Sequence, residues 1–299
     1  MSYQHSNNKN DLPSIAIKMP VTEELVELSE GQVRYFKMGT GPPLILVHGL
    51  GSASVNWYKN IDGLSKSNSV YAVDLPGHGQ TYKSISKTPL DQAVTFMIEF
   101  MDVMNINKTS MVGNSMGGLL ALALTIKHPD RVSKLVLEGS AGLRKDIAWF
   151  LRFMTLPGVG EIITTPTRKT TKSLLKQILY DTSLIKPNLI EMIYQFRKEP
   201  GNRAAMLAII RTGVSLKGLD TELIFIDRLA EIKVPILLLW GRNDKIIPVH
   251  HAEYAANYAS NIQLHIFERC GHWPHMEFHE EFNSLVLSFC TENQKPKGD

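Results

Sequence analysis

The sequence predicts an α/β fold on a doubly wound, mostly parallel sheet of eight strands, with a helical segment inserted after the sixth strand. Short β-branched runs such as PLILVHG and VPILLLWG are apolar throughout, which is typical of strands buried on both faces. Segments with helical spacing lie between these runs. Alternation of this kind indicates a doubly wound sheet, and 299 residues suffice for one large domain with an insertion.

The predicted elements follow one another in a regular order. The stretch LVELSEGQVRYFKMG is typical of a hairpin and supplies the first two strands. The other six strands are PLILVHG, SVYAVDLPG, TSMVGN, KLVLEGS, VPILLLWG and IQLHIFERCG. Helices are predicted over 53–65, 89–104, 116–128, 250–259 and 275–290.

The alternation stops between residues 143 and 221, where Met, Leu, Ile and Arg recur at helical spacing without a convincing strand. We therefore predict a helical cap over 143–221 on a core domain of 13–142 and 222–292. Ligands of open α/β sheets bind at the carboxyl edge of the strands, so the cap should cover the site. The polar ends predict a disordered leader over 1–12 and a flexible tail over 293–299.

Composition excludes several classes of function. The net charge of +3 is spread along the chain without a basic run, so nucleic-acid binding is not expected. The leader lacks the features of a signal peptide, and no apolar run is long enough to span a membrane. Cys270 and Cys290 are too few for a disulfide framework and are expected to be free thiols. These features favour a cytoplasmic protein with a small-molecule substrate, and they leave homo-oligomerisation open.

A candidate nucleophile lies in GNSMG, residues 113–117, between the run TSMV and the helical segment LLALALTIKHPD. The pattern G-x-S-x-G between a strand and a helix is typical of a nucleophile elbow. The small Gly113 and Gly117 permit the tight turn, in which Ser115 takes a strained backbone conformation and its hydroxyl is exposed. We therefore predict that Ser115 is the nucleophile.

A serine hydroxyl needs a base, and the base needs an acid that orients it. Asp244 follows the strand in LLLWGRNDKIIP, and His272 follows the last strand in FERCGHWP. All three side chains then lie at carboxyl ends of strands, in the order serine, acid, histidine. The predicted catalytic set is Ser115, Asp244 and His272.

The oxyanion formed in such a reaction needs two backbone donors. The residue after the nucleophile, Met116, supplies one, and Leu50 in VHGLGSAS supplies the other. Gly49 lets this loop approach the substrate carbonyl, and His48 is expected to hold the loop rather than to act as a base.

The chain resembles the α/β-hydrolase family over about residues 24–290. The resemblance rests on the motifs HGLG, DLPGHG, GNSMGG, GRNDKIIP and CGHW, which occur in the order typical of the family. Within the family, VGNSMGG, VNWYKN and CGHWPHMEF look like the branch that hydrolyses carbon–carbon bonds in ring meta-cleavage products. That resemblance implies that Asn56, Asn114 and Trp273 line the pocket with Gly49. It also implies an arginine in the cap that binds the keto-acid end of the substrate.

The sequence departs from that branch in the cap, where LIEMIYQFRKEPGN places Met192 or Ile193 at the expected arginine. Arg197, Arg203 or Arg211 could replace it from another turn. Because the cap is apolar, the first expectation is hydrolysis of carboxylic esters with short to medium apolar acyl groups through an acyl-enzyme. The alternatives are carbon–carbon hydrolysis of keto-dienoates, and a ligand-binding receptor of this fold with little turnover.

No cofactor or metal is implied for this chemistry. His275 and His279 are four residues apart, but HMEFH is not the zinc motif HExxH. The expectation is that both lie at the solvated start of a helix.

Overall fold

Residues 21–291 are described by the structure, which is a computed structural model. The strands are β1 (Thr22–Leu28), β2 (Gly31–Met38), β3 (Pro43–Val47), β4 (Ser69–Val73), β5 (Thr109–Asn114), β6 (Val132–Glu138), β7 (Val214–Ser215), β8 (Gly218–Leu219), β9 (Ile236–Gly241) and β10 (Ile262–Phe267). Eight of them form one sheet in the order β1-β2-β4-β3-β5-β6-β9-β10. The predicted eight-stranded sheet is confirmed.

The directions of the strands determine where the sheet opens a crevice. β2 runs antiparallel to β1 and β4, whereas β4, β3, β5, β6, β9 and β10 run parallel to one another. The chain passes from β3 to β4 on one side and then returns to β5 on the other side of β3. Such a reversal opens a crevice at the carboxyl ends of the strands. The loops after β3 and β5 meet there.

The hydrophobic core covers both faces of the sheet. Every residue of β9 is buried, whereas the edge strand β1 is largely exposed. The helices are α1 (Ile61–Leu64), α2 (Pro89–Val103), α3 (Met116–Lys127), α4 (Trp149–Phe153), α5 (Val159–Ile163), α6 (Arg168–Ile178), α7 (Pro187–Arg197), α8 (Asn202–Gly213), α9 (His250–Ala255), α10 (Pro274–Glu277) and α11 (His279–Thr291). α3 is buried from Gly117 to Thr125, as expected for a helix whose residues are apolar on nearly all sides.

Helices α4 to α8 lie between β6 and β9, in the segment expected to form the cap. One feature differs from the expectation: β7 and β8 pair as a short antiparallel hairpin. Strands of two residues are too short to produce an alternating pattern, so the sequence did not reveal them. The domain limits at 142/143 and 221/222 stay predictions, and the predicted leader and tail lie outside the described residues.

Within residues 21–291, no helix combines the length and the apolar character that crossing a membrane requires.

Candidate active site

Ser115 lies in a strained turn between β5 and α3, with φ of 58° and ψ of −117°. A non-glycine residue rarely adopts this conformation, which costs free energy and needs support from its surroundings. The Ser115 N–H donates to the Glu138 carbonyl at 2.9 Å, and the Ser115 carbonyl accepts from the Ala141 N–H at 3.1 Å. The close packing also explains Gly117, because a Cβ there would lie 2.4 Å from the Val47 carbonyl oxygen.

His272 and Asp244 form a buried pair at the ends of β10 and β9. His272 Nδ1 lies 2.7 Å from Asp244 Oδ2. The other carboxylate oxygen, Oδ1, accepts from the N–H groups of Ile246 and Ile247 at 2.8 and 2.9 Å. With both oxygens engaged, Asp244 holds the imidazole in one orientation and leaves Nε2 for another partner.

The loop after β3 is held close to Ser115. Gly49 approaches so closely that a Cβ there would lie 3.0 Å from Ser115 Cβ. His48 fixes the loop, because its Nδ1 donates to the Gly49 carbonyl at 2.8 Å and its Nε2 accepts from the Leu75 N–H at 3.1 Å. Burial lowers the pKa of His48, and with both ring nitrogens hydrogen-bonded to the backbone the side chain has no free nitrogen for a proton transfer.

Leu50 and Met116 both line the cavity that contains Ser115. Met116 is the first residue of α3, and an N–H at this position has no partner within the helix. The helix dipole adds positive potential at the same end. Their assignment as oxyanion donors remains a prediction that this geometry supports.

The cavity has a volume of about 160 Å³ and brings Ser115 and His272 together with Gly49, Asn114 and Trp273. Its wall on the cap side is apolar and consists of Phe150, Leu151, Leu174, Ile178, Ile193 and Phe196. Within residues 21–291, no Lys, Arg, Asp or Glu lines it. A second cavity of about 410 Å³ shares Met116, Leu119, Ile209, Gly213 and Leu223 with the first, so the two adjoin between core and cap.

Asn114 connects the end of β6 with the loop that carries His272. Its Nδ2 lies 3.4 Å from the Glu138 carbonyl oxygen and 3.3 Å from the His272 carbonyl oxygen. Asn114 therefore contacts the cavity and also positions the loop of His272.

Asn56 does not lie where the resemblance implied. It is buried behind Ser52, and its Nδ2 donates to the Ser52 hydroxyl. Ser52 lines the cavity, whereas Asn56 does not. The expectation that Asn56 lines the pocket is corrected: the side chain lies one layer behind the wall, because its amide is bonded to Ser52, which itself lines the cavity.

The sequence reading also missed a buried contact of His275. The side chain is 2% exposed, and its Nδ1 lies 2.8 and 2.9 Å from the two carboxylate oxygens of Glu138. The expectation of a solvated helix start is wrong for His275. The available signal was Glu138, an acidic residue that follows the buried apolar run LVL at the end of β6.

Ile193, one of the two residues at which the resemblance implied an arginine, lies in the cavity wall. Of the three arginines considered as replacements, Arg211 pairs with Glu161 at 2.9 Å near the surface. Arg197 and Arg203 line a small void that also contacts Gly51, Ser52 and Phe196, which belong to the main cavity. Burial lowers the pKa of Arg197.

Comparison with known proteins decides the family, since residues 44–285 match the Alpha/beta hydrolase family. The chain belongs to the alpha/beta hydrolase family. This hydrolase is 30% identical to a 2-hydroxy-6-oxononadienedioate/2-hydroxy-6-oxononatrienedioate hydrolase of Burkholderia vietnamiensis, over 90% of this chain and 93% of that protein. It is 32% identical to a 2-hydroxymuconate semialdehyde hydrolase of a Pseudomonas species, over 85% of this chain and 88% of that protein.

A similar solved structure is also that of a hydrolase named for meta-cleavage products. The meta-cleavage product hydrolase CumD of Pseudomonas fluorescens IP01 has a TM-score of 0.76 and 29% identity, covering 89% of this hydrolase and 97% of CumD. These relatives are named for meta-cleavage products. The expectation of a carboxylesterase is therefore wrong: an apolar cap and a serine set do not distinguish ester from carbon–carbon cleavage, and the relatives do. The receptor alternative is set aside because the chain is a hydrolase.

Proposed function

We propose that this hydrolase cleaves a carbon–carbon bond in 2-hydroxy-6-oxo-dienoates of the meta-cleavage type, with Ser115, His272 and Asp244 as the catalytic set. The observation that carries the proposal is the 30% identity over 90% of the chain to a relative named for such a substrate. The cavity supports it, because Ser115, His272, Asn114 and Trp273 all line the same cavity.

The chemistry follows from the substrate. Transfer of the enol proton from the 2-oxygen to carbon 5 makes carbon 5 the saturated neighbour of the 6-carbonyl. Ser115 Oγ then attacks carbon 6 while His272 accepts its proton, and the N–H groups of Leu50 and Met116 bind the oxyanion. When the bond between carbons 5 and 6 breaks, its electron pair delocalises to the 2-oxygen, which takes the proton from His272. The fragment of carbons 1 to 5 leaves at this step as a hydroxydienoate, and water then hydrolyses the acyl-serine to release a carboxylic acid and free Ser115.

The carboxylate of the substrate needs a positive partner. Since the main cavity contains no charged Lys or Arg among the described residues, we place this end toward Ser52 and Arg197. The Arg197 Nη1 donates to the Thr171 hydroxyl at 2.8 Å, so the guanidinium is held beside the void. The acyl end then lies against the apolar cap wall and in the larger adjoining cavity.

The test is a substrate panel with a matched variant. The purified protein is assayed on 2-hydroxymuconate semialdehyde, on 2-hydroxy-6-oxo-6-phenylhexa-2,4-dienoate and on p-nitrophenyl butyrate. We expect kcat/KM to be highest for a keto-dienoate and turnover to be lost in Ser115→Ala. Ser110→Ala, on the same strand but away from the elbow, should retain activity. A higher kcat/KM for the ester than for both dienoates would overturn the proposal.

The cytoplasmic location, the absence of a cofactor and the oligomeric state stay predictions from the sequence.

A further inference from the structure

Three side chains with metal-ligating atoms meet where the segment after β6 contacts α9. His250 Nε2 lies 2.7 Å from Asp146 Oδ2, and His251 Nε2 lies 3.2 Å from Asp146 Oδ1. One ligating atom from each of the three residues lies within 4.8 Å of the other two. The group is separate from Ser115 and His272, since none of its members lines the active-site cavity.

His251 is the unusual member of this group. It is fully buried, its Nδ1 has no hydrogen-bond partner within the described range 21–291, and its Nε2 lies near Asp146 Oδ1 without the alignment of a hydrogen bond. A buried polar group without a hydrogen bond is costly and calls for an explanation.

The distances suit two ligands of one cation. Ligands of a tetrahedral zinc ion lie about 2.1 Å from the metal and therefore roughly 3.4 Å from one another. The 3.2 Å separation between His251 Nε2 and Asp146 Oδ1 is close to this value. His250 and Asp146 are each partly exposed, so a cation can enter from solvent.

We propose that Asp146, His250 and His251 form a binding site for a divalent transition metal ion such as Zn²⁺. Two imidazoles and one carboxylate suit zinc, cobalt and nickel better than magnesium or calcium, which prefer oxygen ligands. Water completes the coordination on the exposed side.

The position gives the site a structural consequence. α9 begins shortly after Asp244, and the intervening Ile246 accepts a hydrogen bond from the Ala148 N–H at 2.8 Å. Ile147 and Ile246 both line the active-site cavity. A metal bound to Asp146 and to α9 would join the start of the cap segment to the loop of the catalytic acid, and so brace one rim of the cavity.

Arg144 competes with the metal. Its Nε lies 3.9 Å from Asp146 Oδ1, and its guanidinium lies over the Tyr254 ring at 4.6 Å. Its positive charge opposes a second cation at the same carboxylate. Neutralising Arg144 should therefore strengthen metal binding, an effect that a purely structural Asp146–His251 contact does not predict.

The experiment titrates metal-free full-length protein with Co²⁺ and follows both calorimetry and the visible absorption of the bound ion. We expect saturable binding at one site, weakened by more than roughly tenfold in His250→Ala and Asp146→Asn. Arg144→Gln should bind at least about threefold more tightly, because it removes an opposing charge. His265→Ala is the matched control, since His265 lies 3.3 Å from Glu281 without a third ligand, and it should bind like the parent.

Because His251 is buried, a loss of metal binding in His251→Ala could result from unfolding. The decisive variant is therefore His250→Ala, since His250 is half-exposed. Absence of saturable binding in the parent, or unchanged affinity in both His250→Ala and Asp146→Asn, would overturn the proposal. The measurement is independent of turnover, so failure of the proposed carbon–carbon activity does not affect it.

Discussion

Glu138 links the nucleophile turn to the histidine loop through His275. The Glu138 backbone carbonyl accepts from the Ser115 N–H, and its carboxylate accepts from the backbone N–H of His275 at 2.8 Å. The His275 ring lies against the same carboxylate, and both side chains are fully enclosed. One residue of β6 therefore contacts both sides of the site.

Removing one partner of this pair should destabilise the fold strongly. His275→Ala leaves the Glu138 carboxylate buried without its ring partner, so we expect a loss of about 3–5 kcal/mol in the free energy of unfolding. The double variant Glu138→Met with His275→Leu should lose less, because no buried charge remains. Urea unfolding of Glu138→Met, of His275→Leu and of the double variant measures the coupling, and additive losses would contradict it.

The strained backbone conformation of Ser115 leads to a second prediction. Ser115→Gly should raise the free energy of unfolding by about 1 kcal/mol relative to Ser115→Ala, because glycine adopts the positive φ without a Cβ penalty. Both variants should lack turnover, so stability and activity separate. Equal denaturation midpoints for the two variants would show that the turn stores no such strain.

Arg197 should affect the charged end of the substrate alone. For Arg197→Gln we expect KM for a keto-dienoate to rise about tenfold or more, the loss expected of a charge-assisted hydrogen bond. KM for the corresponding primary amide should change little, because the amide carries no charge. Arg211→Gln is the control, since Arg211 pairs with Glu161 away from the cavity. A similar rise for acid and amide would remove Arg197 from carboxylate binding.

Asp74 should make the fold sensitive to acid. It is fully buried and accepts from the Arg34 Nε at 2.7 Å and the Ser54 N–H at 2.7 Å. Burial alone would raise the pKa of Asp74, but the charge of Arg34 and the Ser54 hydrogen bonds lower it overall.

A carboxyl with a lowered folded pKa stabilises the protein above its unfolded pKa of about 4, and this stabilisation is lost as the pH falls through the folded pKa. We therefore expect Asp74→Asn to cost about 2–4 kcal/mol at pH 7 and progressively less below about pH 4. Urea unfolding across this range tests it, with the exposed Asp62→Asn as control. A difference that stays constant from pH 7 to pH 3 would contradict the assignment.

Local sequence patterns determined much of this protein. Apolar runs placed the strands because parallel strands are buried on both faces, and the pattern around Ser115 located the elbow because only small neighbours fit that turn. The loops that carry Asp244 and His272 could be predicted because each follows a recognisable strand at the carboxyl edge of the sheet.

Only the tertiary structure decided what depends on contacts between distant segments. Glu138 and His275 are far apart in the chain, as are Asp146 and His251, and neither pair has a local pattern that reveals its partner. The position of Asn56 behind Ser52 likewise depends on how one turn packs. Strand and turn propensities act over a few neighbouring residues, whereas buried polar partners are brought together only when the whole sheet and its cap have folded.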